Sequence, residues 1–326
     1  MPPDFARSVA VLHETISADA RADEVDTLVQ ADYVAGIMRD CGWRVTTLAT
    51  DLELSTTLAA ISAANVECVF NLVESLRGDG RLVHVLPAML GAAGIRFTGC
   101  DSDAMYLSSQ KLLAKRWMKL HDIATPMSFL PGDEKPGGSA TWIVKSLWEH
   151  ASLGLDDGCV VSGLTAARAR IDHCHAQHGG VWFAEEFIDG REFNVSVLEV
   201  DRKPRILPIA EMTFVGYPPG KPRIVGYAAK WDDAAPEFHA TQRSFAQLPA
   251  VEHEAIVNVV QKCWRAFHLR GYARIDLRMD ATGVPWVLEI NANPCLSPDA
   301  GFTAAVIEAG MTPTQAIGHI VSAAMN

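Results

Sequence analysis

The sequence predicts an α/β protein that begins with a doubly wound parallel sheet and continues into a mixed α+β part. In the first hundred of its 326 residues, short apolar runs alternate with amphipathic stretches. Parallel strands need crossover helices and are covered on both faces, so this alternation is typical of a doubly wound sheet. Near the C-terminus, apolar and polar residues alternate on both sides of a polar turn, which indicates an antiparallel β-hairpin.

The first predicted unit spans residues 1–103. Apolar residues recur at helical spacing from Leu28 to Met38, and a Cys-Gly pair ends that helix. Ligands of such sheets bind beyond the carboxyl ends of the strands, which places Glu14, Glu74 and residues 77–80 at a binding edge. The predicted elements are strands at 9–12, 44–48 and 68–72 and helices at 23–41, 54–64 and 82–93.

Two further units are predicted, at residues 104–182 and 183–326. The second unit has helices at 109–121 and 165–177, strands at 141–145 and 159–161, and a Pro- and Gly-rich surface loop at 131–138. The third has strands at 181–186, 192–200, 205–210 and 223–228, a helix at 250–269, the hairpin, and closing helices at 303–309 and 313–324.

The hairpin carries the densest set of candidate ligands. If its turn centres on residues 281–282, Arg274 faces Glu289 and Asp276 faces Val287. One face then holds Arg274, Asp276, Glu289 and Asn291, and the other holds Ile275, Leu277, Trp286, Leu288 and Ile290. Carboxylate and amide oxygens suit Mg²⁺, which substrate phosphates usually complete, so the pattern indicates nucleotide chemistry. The alternative is a solvated charged face, because a one-residue slip would scatter the four groups.

Composition narrows the class of protein. The formal net charge is −11 and no run of lysine or arginine occurs, which argues against nucleic-acid and anionic-membrane partners. No export signal and no apolar stretch of roughly 20 residues is visible, so we expect a soluble cytoplasmic protein. Seven cysteines without a Cys-x-x-Cys pair suit buried thiols in a reducing compartment. A zinc site at residues 173–178 is an alternative, which the helical spacing disfavours because only His175 and His178 share a face.

Three segments could contact a nucleotide. Lys145 ends an apolar strand and precedes a loop, 146–154, with backbone donors that could close over phosphates. Lys111 lies on a helix and could equally be solvated. Residues 185–192 join two strands and could offer backbone hydrogen bonds to adenine and a carboxylate to ribose. Neither the P-loop motif nor a strand-linked Gly-x-Gly-x-x-Gly motif is present.

Taken together, these motifs resemble those of the ATP-grasp ligases, in particular the D-alanine–D-alanine ligase branch. They occur in the family's order and cover nearly the whole chain. The matching motifs are Phe70-Asn71-Leu72, Gly78-Asp79-Gly80-Arg81, Phe97-Thr98-Gly99, Ser109-Gln110-Lys111, Trp142-Ile143-Val144-Lys145, Glu185-Glu186-Phe187-Ile188-Asp189-Gly190-Arg191-Glu192, Ala273-Arg274-Ile275-Asp276 and Leu288-Glu289-Ile290-Asn291-Ala292-Asn293-Pro294.

This resemblance implies an ATP-grasp fold, with ATP held between the central and C-terminal domains, and assigns roles by position. Lys111, Lys145 and Lys230 resemble the phosphate-binding lysines. The adenine linker corresponds to Glu185, Glu186, Phe187 and Ile188, and the ribose carboxylate to Glu192. Asp276, Glu289 and Asn291 resemble the ligands of two Mg²⁺ ions, which Mn²⁺ could replace. Arg274 resembles the residue that steadies the transferring phosphoryl group and the oxyanion, and Ser152 lies in the loop that closes over the site.

Departures from the family pattern concern the substrates. Residues 150–154 lack one loop hydroxyl and contain His150 and Ser152. Trp231 replaces a common tyrosine, Cys295 replaces a glycine, and Ala300-Gly301 lacks the serine that would hold the second substrate's carboxylate. The N-terminal signature is absent, and Glu14 or Glu24 could supply its acid. Cys295 could be a nucleophile, but a packing role fits better because no histidine lies near it in sequence.

The sequence therefore predicts an ATP-dependent carboxylate–amine ligase that acts through an acyl phosphate on small molecules, amino acids among them. Three alternatives stay open at this point: a genuine D-alanine–D-alanine ligase, an ATP-grasp kinase and a non-enzymatic nucleotide-binding module. A homodimer is what the family suggests.

Overall fold

The computed structural model describes residues 7–17, 20–133, 141–148, 152–245 and 247–325. The N-terminal elements are β1 (Ser8–Glu14), α1 (Ala22–Asp40), β2 (Arg44–Thr50), α2 (Leu54–Ala64), β3 (Cys68–Asn71) and α3 (Val85–Ala92), with a 3₁₀ turn at Gly80–Leu82 before α3. The strands form a parallel sheet in the order β2-β1-β3. Among the described residues, no helix is both long and apolar enough to cross a membrane.

Both faces of this sheet are buried. Ala10 and Leu12 pack with Leu86 of α3 on one side. Val9 and Val11 pack on the other side with α1 and with the C-terminal helices α10 (Gly301–Glu308) and α11 (Pro313–Met325). The predicted doubly wound parallel sheet is confirmed, and the end of the chain supplies part of its cover.

The middle part contains α4 (Ser102–Ser109), α5 (Lys111–Leu120), β4 (Ser128–Phe129), β5 (Thr141–Ser146), β6 (Val160–Ser162), α6 (Leu164–His178) and β7 (Trp182–Glu186). Its antiparallel sheet has the order β4-β7-β5-β6. The helix predicted at 109–121 forms as α5, but it begins only at Lys111, because Gln110 adopts an extended conformation between α5 and α4, a helix that was not predicted. The Gln110 side chain instead caps α5 by accepting a hydrogen bond from the Leu113 amide at 2.5 Å.

The last part contains β8 (Arg191–Val200), β9 (Lys203–Ile206), β10 (Ala210–Phe214), α7 (Tyr227–Trp231), α8 (Pro236–Ala240), β11 (Thr241–Ser244), α9 (Ala250–Ala266), β12 (Tyr272–Met279) and β13 (Pro285–Asn291). These strands form an antiparallel sheet in the order β11-β10-β8-β12-β13, with β9 also paired to β8. Because β7 pairs with β5, sheet pairing separates the middle and last parts between β7 and β8.

Two strands predicted in the last part are wrong. The chain leaves β9 after Ile206 and pairs again only from Ala210, because Pro208 cannot donate to a ladder. The predicted strand 223–228 is instead an irregular segment that leads into α7. There the chain passes so close to Leu155 that a Cβ on Gly226 would lie 2.5 Å from the Leu155 carbonyl oxygen.

The hairpin forms, but its predicted register is wrong by two residues at the site. The turn is a three-residue loop, 281–283, in which Gly283 has φ of +83° and donates to the Asp280 carbonyl. A bulge at Leu288 then shifts the pairing once more, so Asp276 faces Glu289 and Arg274 faces Asn291. Two one-residue shifts restore the predicted common face of these four side chains.

Between the turn and the bulge, the faces of β13 are exchanged relative to the prediction. Val287 is fully buried in the core with Ile275, whereas Leu288 lines the cavity. Trp286 pairs with Arg278 and donates from Nε1 to Asp280 Oδ2 at 2.7 Å. Trp286 and Leu288 therefore do not join the apolar face.

Candidate active site

A cavity of about 640 Å³ lies where the three sheets meet. Its lining brings together residues that are far apart in the sequence. All but one of the predicted site residues line it: Glu14, Glu74, Lys111, Lys145, Ser152, Glu185, Glu186, Phe187, Ile188, Glu192, Lys230, Trp231, Arg274, Asp276, Glu289, Asn291, Cys295, Ala300 and Gly301. The exception, His150, lies outside the described residues.

The hairpin face forms one wall of the cavity. Asp276 on β12 and Glu289 on β13 stand directly opposite each other, and one residue pair separates them from the pair Arg274 and Asn291. The Arg274 guanidinium donates from Nε and Nη2 to the two oxygens of Asp276, both at 2.8 Å. This bidentate contact fixes the orientation of the arginine at the cavity wall.

Four cations surround Glu289. Burial alone would raise its pKa, but Lys111, Lys145, Lys230 and Arg274 together lower it. The Lys111 Nζ lies 4.0 Å from Glu289 Oε2. Burial is the main cause that lowers the pKa of Lys230, and the positive charge of Arg274 adds to it. Such a concentration of positive charge around a partly buried carboxylate suits a polyanionic ligand.

Glu185 is held between two lysines behind this wall. Its side chain is 1% exposed, and its two oxygens lie 2.6 Å from Lys115 Nζ and 2.5 Å from Lys145 Nζ. Burial favours its neutral form, but the two ammonium groups outweigh burial and lower its pKa to about 2. Lys115 also donates to Thr125 Oγ1 at 3.0 Å. Because both oxygens of the Glu185 carboxylate contact lysines, the Glu185 side chain holds the Lys145 ammonium group in position.

Lys115 has no role in the sequence-based prediction of the site. The signal was present, because Lys115 follows Lys111 by four residues and therefore shares its helix face. Both side chains are buried, at 1% and 5% exposure.

The connector between β7 and β8 is fixed by Arg278, a second residue without a predicted role. Arg278 is 3% exposed, donates from Nη1 to the Ile188 carbonyl at 2.9 Å, and lies over the Phe187 ring at 4.9 Å. Its Nε and Nη2 both donate to Glu192 Oε2, at 3.1 and 2.8 Å. Arg278 continues the alternation of Arg274 and Asp276, which could have identified it.

Two carboxyl groups lie at the carboxyl ends of β1 and β3. Burial raises the pKa of Glu14 to about 7, and burial together with the charge of Glu14 raises the pKa of Glu74 to about 8. Thr27 donates to Glu14 Oε1 at 3.2 Å and Gln30 donates to Glu74 Oε1 at 3.2 Å. The two carboxyl groups therefore hold protons close to neutral pH, and a cationic group bound beside them would favour their ionised forms.

The remaining predicted residues occupy the same cavity. Cys295 donates from Sγ to Asp26 Oδ2 at 3.1 Å, and burial raises the pKa of its thiol far above the ordinary value. This favours the packing role over the nucleophile. Ser152 has φ of +63° and donates to the Val225 carbonyl at 3.1 Å, which ties the closing loop to the segment before α7.

The described residues contain no cluster of three His, Cys, Asp or Glu side chains that could hold a metal ion. The zinc alternative at 173–178 is disfavoured further, since Cys174 is buried and the His175 ring contacts the Gly180 carbonyl at 2.8 Å. A magnesium site would consist of two carboxylates and one amide oxygen, from Asp276, Glu289 and Asn291.

Comparison with known proteins identifies the family. A family model described as D-ala D-ala ligase C-terminus matches residues 141–322. The chain belongs to this ligase family. The D-alanine–D-alanine ligase of Bordetella petrii is 26% identical over 277 residues, covering 82% of this chain and 79% of the relative. An uncharacterized protein, y4sG of Sinorhizobium fredii, is 30% identical over 302 residues, covering 90% and 87%.

Solved structures of D-alanine–D-alanine ligases share the fold of this ligase. The Bacillus anthracis enzyme superposes with a TM-score of 0.75 at 16% identity, covering 98% of both chains, and was also solved in complex with ATP. VanG D-Ala:D-Ser ligase of Enterococcus faecalis gives 0.68 at 15% identity, covering 98% and 99%. The protein is an ATP-binding ligase of the ATP-grasp fold that forms a carbon–nitrogen bond, as the sequence predicted. The kinase and non-enzymatic alternatives are thereby disfavoured.

Proposed function

We propose that this ligase joins the carboxylate of one small molecule to the amine of another, with an amino acid on at least one side, and that its substrates differ from a pair of D-alanines. One observation carries the proposal. The cavity has a wall of positive charge around Glu289, and elsewhere in its lining it has a pair of acidic side chains, Glu14 and Glu74. The first environment suits phosphates, and the ammonium group of a substrate bound at the second would favour the ionised form of Glu14 and Glu74.

The nucleotide would bind along the cationic wall. Lys111, Lys145 and Lys230 would hold its phosphates, as point charges do in many nucleotide sites. Residues 186–188 would contact adenine beside Arg278. Glu192 would contact ribose: both bonds from Arg278 end on its Oε2, so a ribose hydroxyl would meet Oε1.

Magnesium fits the donor set of the hairpin. Asp276, Glu289 and Asn291 present hard oxygen donors on adjacent strands, and the side they share faces the cavity. We propose that they hold two Mg²⁺ ions together with the phosphates, with Mn²⁺ as a substitute. When bound, the ions would neutralise charge on the transferring phosphoryl group.

The reaction would proceed in two steps. A carboxylate oxygen of the first substrate attacks the γ-phosphorus, the bond to the β,γ-bridging oxygen breaks, and ADP leaves. The neutral amine nitrogen of the second substrate then attacks the acyl carbon, the acyl C–O bond breaks, and phosphate leaves and takes up the proton that the nitrogen releases as the amide forms. Arg274 would stabilise charge in both steps, because Asp276 holds it in place before the reaction and no reorganisation is needed.

Substrate choice follows from the residues that depart from the family pattern. Ala300 offers no hydroxyl to the amine substrate, and Cys295 is committed to Asp26. Trp231 lines the cavity beside the proposed phosphate lysine Lys230. These changes support an acyl and an amine substrate other than D-alanine, while His150 stays a prediction outside the described residues.

A substrate screen tests the proposal. The purified protein is incubated with ATP, Mg²⁺ and pairs drawn from a panel of amino acids and small acids, and phosphate release is measured, followed by mass spectrometry of active pairs. D-alanine alone is the key comparison: rapid turnover on it would show a genuine D-alanine–D-alanine ligase. Trapping with hydroxylamine should yield an acyl hydroxamate, and its absence with every active acid would contradict the acyl phosphate.

Three broader statements are proposals of the same kind. The domain division is 1–103, 104–182 and 183–326, supported by the three separate sheets. A cytoplasmic location is supported by seven free cysteines and by the use of ATP. The proposal of a homodimer rests on the resemblance to the ligase family alone.

A further inference from the structure

One arginine that lines the cavity is bound differently from the others. Arg21, Arg274 and Arg278 also line it, and each forms an ion pair with a carboxylate within 4 Å. Arg243 of β11 instead donates from Nη1 to the Ala300 carbonyl at 3.1 Å and from Nη2 to the Asp299 carbonyl at 3.0 Å. Within the described ranges it makes no ion pair.

Backbone carbonyls hold Arg243 without neutralising it. They fix the plane of the guanidinium, and each nitrogen that donates to a carbonyl carries a second N–H. The Asp299 carboxylate acts on Arg243 from a greater distance, as does the positive charge of Arg274. A guanidinium that is oriented but not paired at short range is prepared for a carboxylate from outside the protein.

The position of Arg243 matches the gap left by the missing serine. Its two carbonyl partners, Asp299 and Ala300, immediately precede α10, which begins at Gly301. The first amides of a helix attract anions, so the guanidinium and the helix end favour negative charge at the same place. Because Ala300 carries only a methyl group, this place is open to the cavity, which both residues line.

We propose that Arg243 binds the carboxylate of the amine substrate and thereby selects α-amino acids, rather than simple amines, as acyl acceptors. The inference rests on the proposed function and assigns to an arginine on β11 the task that the absent serine would perform. A planar, two-pronged donor demands a carboxylate more strictly than a hydroxyl does, so the amide of the same amino acid should be a poor acceptor.

The test uses Arg243→Gln and Arg243→Lys in the full chain, with an acceptor amino acid found in the screen and its carboxamide as probes. Hydrogen bonds between charged partners contribute about 1.5–3 kcal/mol, so KM for the amino acid should rise roughly tenfold to hundredfold in Arg243→Gln and less in Arg243→Lys. KM for ATP and the yield of acyl hydroxamate should stay at the wild-type level. Wild-type preference for the acid over the carboxamide should largely disappear in Arg243→Gln.

Arg191→Gln is the matched control, because Arg191 pairs with Glu211 and Glu252 and does not line the cavity. Circular dichroism and Tm measurements establish that each variant is folded. An unchanged KM for the amino acid, or an equal loss of hydroxamate and amide formation, would refute the role of Arg243. If the wild-type protein forms no hydroxamate with any acid, the proposed function fails and this proposal fails with it.

Discussion

Replacement of Lys115 by methionine should destabilise the protein strongly, although Lys115 does not line the cavity. Methionine matches the apolar length of lysine but removes one of the two cations that flank Glu185. The pKa of Glu185 falls from 4.5 to about 2, which corresponds to about 3 kcal/mol in favour of the ionised form in the folded state. Both lysines contribute to this value, and the burial of Lys115, which lowers the pKa of its own ammonium group, offsets part of it.

The loss can be estimated from this pair. Breaking a buried ion pair by removing one partner costs about 3–5 kcal/mol, and the lower end applies here because Lys145 stays beside Glu185. Larger domains lose about 2–4 °C in Tm for each kcal/mol, so the expected decrease is roughly 6–12 °C. In this variant Lys145 would be the one lysine left beside Glu185 and would be held more strongly by it. Because Lys145 is a proposed phosphate ligand, KM for ATP should rise as well.

Thermal unfolding followed by circular dichroism at pH 7 measures the first effect, and phosphate release against ATP concentration measures the second. Lys119→Met is the matched control, because Lys119 lies on the same helix and is exposed. A lowered carboxyl pKa contributes stability that is present above the unfolded value of 4.5 and is lost as pH falls through about 2, so the decrease in Tm should be constant from pH 6 to 8. A decrease no larger than that of the control would refute the buried network.

Three other predictions follow from the site. Glu289→Gln should fold normally, because the side chains are nearly isosteric, but phosphate release at saturating Mg²⁺ should fall at least about a hundredfold. Glu14→Gln should become more stable relative to wild type as pH rises from 4.5 through 7, by up to about 3 kcal/mol, since the raised pKa of Glu14 favours folding only while it is protonated; Tm against pH measures this. Cys295→Ala should retain turnover within about threefold in the same phosphate assay, because the buried thiol stays protonated.

Each of these predictions has a contrary result. Normal turnover of Glu289→Gln would remove the proposed magnesium ligand. A Tm difference between Glu14→Gln and wild type that does not change with pH would show that Glu14 ionises normally. Loss of phosphate release in a folded Cys295→Ala protein would restore the nucleophile interpretation.

In the hairpin, the sequence predicted the shared face of the site residues correctly and their pairing incorrectly. Alternation placed Arg274, Asp276, Glu289 and Asn291 on one face, and the structure has them on one face. The predicted pairing was nevertheless wrong, because a three-residue turn and a bulge at Leu288 each shift the register by one residue. Alternation along a strand has a period of two, so it predicts which face of the sheet a residue lies on. A shift of the pairing by two residues leaves every residue on the same face, so alternation cannot detect it.

Other residues escaped prediction because their environment depends on distant segments. Lys115 and Arg278 share a helix or strand face with predicted site residues, but the sequence does not show that they are buried. Arg243 has no such signal, and it meets two carbonyls 56 and 57 residues away. The strand predicted at 223–228 failed for the same reason. Its conformation is set by the close approach of Gly226 to Leu155.

The sequence by itself determined the parallel N-terminal sheet, the family and the residue types of the site, because hydrophobic periodicity and short motifs are local properties of the chain. Only the tertiary structure decided which charges meet. The partners of Glu185 come from α5 and β5, and Arg243 reaches the start of α10 from β11. Charge pairing falls off with distance in space and does not depend on separation along the chain, so its outcome is fixed only when the sheets assemble.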